Sequence, residues 1–318
     1  MKDKVIIITG PTASGKSDIA IKLAKLIDGE IISSDSQQIY RDMNIGTNKV
    51  TKEESLGIKH HLIDIINPNE EYSVQNFSND CRNLIKDISN RNKSPIIVGG
   101  TGFYIDSILY NLNYGAVKKD NSIRDKYENL ADKYGNYYIY DILKKIDPTT
   151  ALKYHPNEKK RIIRSLEIYE KTGVIPSKAK TGKRELNDEI DPFVFFINYK
   201  DRNLLYEKIN KRVSMMIDDG LISETRNLID KYDLDENSRS LLAIGYKETY
   251  DYIKGKISLD ELEYNIRINT RHYAKRQITW MKKYIDYNDK SYLLYREDYK
   301  SKEELIEKIN KLWVNNGN

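Results

Sequence analysis

The first hundred residues alternate short apolar runs with stretches whose apolar positions recur every three to four residues. Residues 4–9 are one such run, β-branched at the centre and closed by Gly10-Pro11. A run of this kind reads as a strand covered on both faces. After it, Ile19, Ala20, Leu23 and Ile27 share one helical face. Residues 30–33 predict a second strand, and the alternation over residues 61–66 predicts a third. Residues 95–98 predict a further buried strand, ending in Gly99-Gly100. Val74, Phe77, Cys81, Leu84 and Ile88 lie between these strands at helical spacing, which makes Cys81 a core residue. Strands alternating with helices predict an α/β fold on a parallel sheet.

The character changes after about residue 114. From there to residue 190 the chain is polar, helical and rich in Tyr and Lys, and β character resumes over residues 191–199. The expected organisation is a core of residues 1–114 and 191–318, with residues 115–190 as a helical insertion. The C-terminal part of the core is expected to be mostly helical. Its first helix carries Leu204, Leu205, Ile209, Val213, Met216 and Ile217 as one stripe and closes at Gly220.

Composition narrows the chemistry. Cys81 is the single cysteine of 318 residues, which excludes an internal disulfide and a Cys-rich zinc site. The apolar run near the N-terminus is too short for a signal segment, and no stretch approaches the ~20 apolar residues of a spanning helix. The chain is therefore expected to be soluble and cytoplasmic, with no membrane partner. The net charge is only +5, but residues 153–184 hold ten Lys or Arg against three Glu. Residues 267–283 hold six basic residues and no acidic one. These segments fit either a polyanion partner or two solvated helix faces.

Gly10-Pro11-Thr12-Ala13-Ser14-Gly15-Lys16-Ser17 matches G-x-x-x-x-G-K-[ST], directly after a buried strand and directly before a helix. The glycines allow the backbone N–H groups to curl around an anion, and the helix N-terminus adds partial positive charge. Lys16 is placed to reach the outer phosphate and the Ser17 hydroxyl to hold Mg²⁺. The fold is thus expected to be P-loop NTPase-like. A nucleotide hydrolase would usually add a strand ending in a metal-positioning Asp. The strand at residues 95–98 ends instead in Gly99-Gly100-Thr101-Gly102. That favours a diphosphate other than ATP.

Asp35 follows the second strand, and Thr101 follows the strand at residues 95–98. In open α/β sheets such positions face the ligand crevice. Each also has a local reading, Asp35 as a turn residue and Thr101 as a helix cap.

Taken together, GPTASGKS, DSQQIY, KHHLIDI, GGTGFYI, NEKKRIIRSLEIYEKTG, INKRVSMMIDDGL, AIGYKE and TRHYAKRQITWMKK resemble the tRNA dimethylallyltransferase (isopentenyltransferase) family. The blocks run in order over about residues 5–283. Absence of a Cys-rich tail is similar to the bacterial form, which has no zinc finger. The Phe of GGTGFYI stands where the family more often has Leu.

The resemblance implies transfer of a dimethylallyl group from its diphosphate to the exocyclic amine of the adenosine 3′ to the tRNA anticodon, without ATP hydrolysis. It implies Asp35 as the base, Thr101 as a contact to the target adenosine and Arg212 as a second cation on the diphosphate. Residues Gly10 to Ser17 would clamp that diphosphate. Ser36, Gln37 and Gln38 would meet the flipped base, and the Gln38 amide would address an adenine edge. Lys159, Lys160, Arg161, Ile162 and Ile163 match the family's tRNA-contacting helix. A monomer using Mg²⁺ is expected. Two other classes share the phosphate loop: a small-molecule kinase using ATP, and a non-catalytic RNA-binding module switched by nucleotide.

Overall fold

The structure is a computed structural model that describes residues 2–111, 120–179 and 185–317. In chain order it contains β1 (Asp3–Thr9), α1 (Lys16–Leu26), β2 (Gly29–Ser33), β3 (His60–His61), α2 (Val74–Asn90), β4 (Ser94–Gly99) and α3 (Gly102–Leu109). Next come α4 (Asn121–Tyr134), α5 (Asn136–Ile146), α6 (Pro148–Ala151), α7 (Lys159–Thr172) and α8 (Pro176–Ala179). The chain then continues through β5 (Ile190–Asn198), α9 (Arg202–Asp218), α10 (Leu221–Tyr232), α11 (Tyr246–Ile253) and α12 (Leu259–Met281). It closes with β6 (Ser291–Tyr295) and α13 (Lys302–Gly317). None of the described helices is long and apolar enough to cross a membrane.

Contacts divide the chain into two units, Met1–Leu109 with Asn187–Asn318, and Tyr110–Leu186. The division falls a few residues before the expected 114/115 and 190/191. Tyr110 bridges Leu186 antiparallel, and the Asn111 N–H donates to the Glu185 carbonyl at 2.8 Å, so the smaller unit is closed by its own stem.

The larger unit is built on a parallel sheet of strand order β3-β2-β4-β1-β5-β6. β1 lies between β4 and β5, pairing Ile6 with Ile96 on one side and with Phe193 on the other. Val5 to Ile8 are fully buried, as continuous apolar runs in a central parallel strand require. Helix α2 begins with a capping box from Ser73 and Asn76 and buries Phe77, Cys81, Ile85 and Ile88. Cys81 is inside the core, as its spacing predicts.

Two expectations change. The strand foreseen over residues 61–66 is only two residues long, because Leu62 and Asp64 take φ of 60° and 56° and leave the extended region. His60 and His61 are structural: His61 Nε2 lies 2.8 Å from the Glu30 carboxylate, and His60 Nδ1 lies 2.9 Å from the Ile58 carbonyl. The edge strand β6 was not anticipated within the C-terminal part; it pairs parallel to β5, Phe195 opposite Tyr292. Gly220 stands at the end of α9 as expected, with φ 101°, and also opens α10.

The smaller unit packs α4, α5 and α7 around Tyr127, Ala131, Ile139, Leu143, Ile162, Ile163 and Leu166. Buried Glu167 accepts from the Asp120 N–H at 2.6 Å and pairs with Arg124 and Arg164.

Candidate active site

The strand order explains how distant motifs meet. β2, β4 and β1 are adjacent and parallel, so their C-terminal ends lie side by side at the ~4.8 Å spacing of a sheet. β1 runs into the phosphate loop, β2 into Asp35 and β4 into Gly99-Gly100-Thr101.

In the loop, Ala13 and Gly15 adopt φ of 63° and 79°, and the Ser14 N–H donates to the Pro11 carbonyl at 3.3 Å. This turn leads into α1 at Lys16, where the first N–H groups have no partner within the helix and point at the loop's concavity. Ser14 Oγ is buried without a protein partner. Such an orphaned hydroxyl in an anion cradle fits a polar ligand completing it. Lys16 Nζ donates to the Pro11 carbonyl at 3.3 Å. Desolvation pushes the Lys16 ammonium down to about 8; Asp35 opposes that shift and Arg212 adds to it. Arg212 comes from α9, and its Nη1 donates to Thr12 Oγ1 at 2.7 Å. Burial also lowers the Arg212 guanidinium below its usual range. Two desolvated cations thus share one carboxylate, a field suited to a polyanion.

Asp35 Oδ1 accepts from the Gln37 N–H at 2.9 Å, which shapes the turn after β2. Thr101 Oγ1 accepts from the Ser36 N–H at 3.1 Å. Its hydroxyl therefore ties two strand ends together instead of capping α3. Gln38 departs from its expected use. Its Oε1 accepts from Ser33 Oγ at 3.0 Å, and its Nε2 donates to the carbonyls of Thr47 at 3.3 Å and Asn48 at 3.4 Å. The amide is spent on fastening the following loop. Gln37 Oε1 is buried and unpartnered, so Gln37 keeps hydrogen-bonding capacity that Gln38 has used.

Two residues of this site went unassigned in the sequence, Tyr273 and Gln277 on α12. Gln277 Oε1 accepts from the Thr12 N–H at 2.8 Å and its Nε2 donates to the Gly100 carbonyl at 3.0 Å. Tyr273, one turn earlier, is within hydrogen-bonding reach of Thr101 and Gln277, and burial together with Asp35 holds its phenol protonated well above the usual value. The only sequence signal was an i, i+4 pair of Tyr and amide in a basic helix.

For a divalent cation, no cluster of three His, Cys, Asp or Glu forms among the described residues. The donor available is the Ser17 hydroxyl at the start of α1, with the Asp35 carboxylate after β2 as a further oxygen of the site. That set fits Mg²⁺, which keeps waters and takes one or two protein oxygens plus phosphate oxygens.

In the smaller unit, Lys159, Lys160 and Arg161 begin α7. Lys159 pairs with Glu128 at 2.5 Å and Asp132 at 3.0 Å, and Arg161 with Glu158 at 2.5 Å. Lys160 is exposed and enters no ion pair among the described residues. Ile162 and Ile163 are 0% and 3% exposed. They face the unit's interior, so their side chains do not present a tRNA-contacting surface, contrary to expectation. Lys180, Lys183 and Arg184 of the basic segment lie outside the described residues.

A phosphate loop facing a carboxylate and a hydroxyl across adjacent strand ends defines a P-loop protein of the parallel α/β class. Within that class the comparisons are specific. The IPP transferase family model matches residues 38–284. A tRNA dimethylallyltransferase of Caldanaerobacter subterraneus subsp. tengcongensis is 48% identical over 310 residues, 97% of each chain. The crystal structure of a tRNA isopentenylpyrophosphate transferase from Staphylococcus epidermidis is 39% identical, with a TM-score of 0.71 over 99% of this chain and 100% of that one. A eukaryotic dimethylallyltransferase structure described as acting on tRNA reaches a TM-score of 0.81 at 32% identity, over 99% of this chain and 80% of that one. The chain belongs to the IPP transferase family.

Proposed function

We propose that this protein transfers a dimethylallyl group from dimethylallyl diphosphate to the exocyclic N6 amine of a tRNA adenosine, the one 3′-adjacent to the anticodon. Diphosphate leaves. The observation that carries this reading is the convergence of the phosphate loop, Asp35 and Thr101 at three neighbouring strand ends, in a chain of this family.

The amine is a poor nucleophile because its lone pair is delocalised into the ring. As the new C–N bond forms, the N6 proton passes to the Asp35 carboxylate, a base step worth about 10²–10⁴-fold. The allylic C–O bond breaks and its electron pair goes to the diphosphate. Loop N–H groups, protonated Lys16 and Arg212 stabilise that developing charge, the larger electrostatic task. Ser17 would hold Mg²⁺, which supplies further neutralisation of the diphosphate when bound. Thr101, with Ser36 and Gln37, would orient the extruded base; unstacking it from a loop costs a few kcal/mol. Lys160 and its basic neighbours would address RNA phosphates. A monomer working in the cytoplasm suits this chemistry.

The test is incubation of the protein, Mg²⁺ and unmodified bulk tRNA with either dimethylallyl diphosphate or ATP, followed by nucleoside mass spectrometry. A dimethylallyl adduct on adenosine without ATP is the expected result. ATP consumption without adduct would replace this reading with phosphoryl transfer.

A further inference from the structure

We infer that Gln277 is a positioning residue that locks the diphosphate-binding loop to the strand end facing the acceptor base. The inference rests on the transfer reaction proposed above and adds to it the element that sets donor against acceptor. The two substrates meet on different loops, one after β1 and the other after β2 and β4. A backbone turn carries no intrinsic constraint on its neighbour, and transfer depends on reacting atoms held ~3–3.5 Å apart.

Gln277 supplies that constraint with both ends of one amide. Its carbonyl oxygen accepts from the Thr12 N–H at 2.8 Å, and its NH₂ donates to the Gly100 carbonyl at 3.0 Å. The orientation of the amide is forced, since the Thr12 N–H only donates and the Gly100 carbonyl only accepts. Gln277 is 5% exposed and its bond to the Gly100 carbonyl is buried, so on that side water does not replace the amide. Gly100 is required by the same contact: a Cβ there would stand 2.1 Å from Gln277 Nε2.

Both tethered residues are joined to reacting groups. Thr12 takes a hydrogen bond from Arg212 at 2.7 Å, and Gly100 precedes Thr101, which holds the Ser36 N–H beside Asp35 at 3.1 Å. A continuous path therefore runs from the Arg212 guanidinium through Thr12, Gln277 and Gly100 to the acceptor turn. In the loop, the Thr12 N–H is spent on Gln277, leaving the later N–H groups to meet the anion. Gln277 thus acts through Thr12 and Gly100.

A positioning role predicts a loss in rate without a loss in binding. In single-turnover reactions with saturating dimethylallyl diphosphate and an unmodified anticodon stem–loop RNA, Gln277→Met should slow transfer by about 10²-fold, the scale of a 1 Å misplacement. The dissociation constants of both substrates should stay within threefold. Gln277→Glu, nearly isosteric, keeps the acceptor for Thr12 but sets a carboxylate against the Gly100 carbonyl, and should show the same split. Transfer by Gln277→Met within threefold of wild type would overturn the inference, as would a loss expressed wholly in the dissociation constants. If Gln277→Met does not fold, Gln277→Glu decides by the same criteria; failure of both to fold makes the bond purely structural and overturns it too. Wild type transferring normally in the same assay separates these results from failure of the transferase reading itself.

Discussion

The two units use polar residues in opposite ways. In the larger unit, polar side chains at the strand ends bond to backbone groups of other loops: Gln277 to Thr12 and Gly100, Thr101 to Ser36, Gln38 to Thr47 and Asn48. Glu224 extends the pattern, accepting from the N–H groups of Asn44 and Ile45 at 3.0 and 2.9 Å. In the smaller unit, charged side chains mostly bond to one another, as Lys159 does with Glu128 and Asp132 and Lys126 with Glu170. The first arrangement ties loops to one another through directional bonds. The second keeps long, solvated side chains on a surface, where individual pairs contribute little stability. The proposed transfer chemistry uses the first region and the proposed attraction of RNA the second.

The largest effect that follows is at Asp35. Asp35→Asn preserves the shape that accepts the Gln37 N–H at 2.9 Å but cannot take the N6 proton. Its kcat should fall by about 10²–10⁴-fold. RNA affinity, measured by filter binding, should stay within threefold. A variant with wild-type kcat would move the base elsewhere and break the contrast, because the ordered edge would then hold no chemistry.

What the sequence revealed follows the same division. The phosphate loop, Asp35 and Thr101 were legible because each is a short motif next to a buried apolar run, and strand adjacency brings such motifs together. Gln277 was not, since its meaning lies in contacts 265 and 177 residues away along the chain. The bonds of the Gln38 amide were not legible for a related reason: the loop that uses it comes nine residues later, with no local pattern to announce it. The strand expected over residues 61–66 failed on two left-handed residues that apolar alternation does not encode. In α7, motif matching marked Ile162 and Ile163 as contacts, whereas their helical phase with Leu166 marks them as core.

A smaller effect, tied to pH, sharpens the electrostatic side. Lys16 in the free protein loses its proton near pH 8, because desolvation outweighs the attraction of Asp35. Bound diphosphate favours the charged form, so binding takes up a proton. The KM for dimethylallyl diphosphate should be flat at pH 7 and rise towards tenfold per unit above pH 8. Lys16→Met should have a higher KM that lacks this rise. The sign for folding is opposite. A lysine depressed from 10.5 to about 8 costs the ligand-free fold stability at neutral pH, and that cost is relieved as pH climbs between those values. Denaturant unfolding at pH 7.5 and 9.5 checks it; lower stability at the higher pH in wild type but not in Lys16→Met would contradict the assignment.

The smallest effect separates apparent charge from available charge within α7. Lys159 and Lys160 are neighbours in sequence and identical in formal charge. Lys159 is held by two carboxylates, at 2.5 and 3.0 Å, whereas Lys160 is exposed and enters no ion pair among the described residues. A cation already neutralised locally releases few counterions from RNA, while a free one contributes close to a full phosphate contact. Lys160→Ala should therefore weaken tRNA binding a few-fold and reduce the slope of log K against log salt by about 0.7–0.9. Lys159→Ala removes the positive partner of Glu128 and Asp132, so its loss of affinity should come through two uncovered carboxylates facing RNA. Replacing Glu128 and Asp132 by Gln and Asn in the Lys159→Ala background should recover that part of the affinity. Recovery there, with none for the same replacements in Lys160→Ala, would show that ion pairing rather than the count of basic residues sets how strongly this helix draws RNA; equal slopes for the two lysine variants would show the reverse.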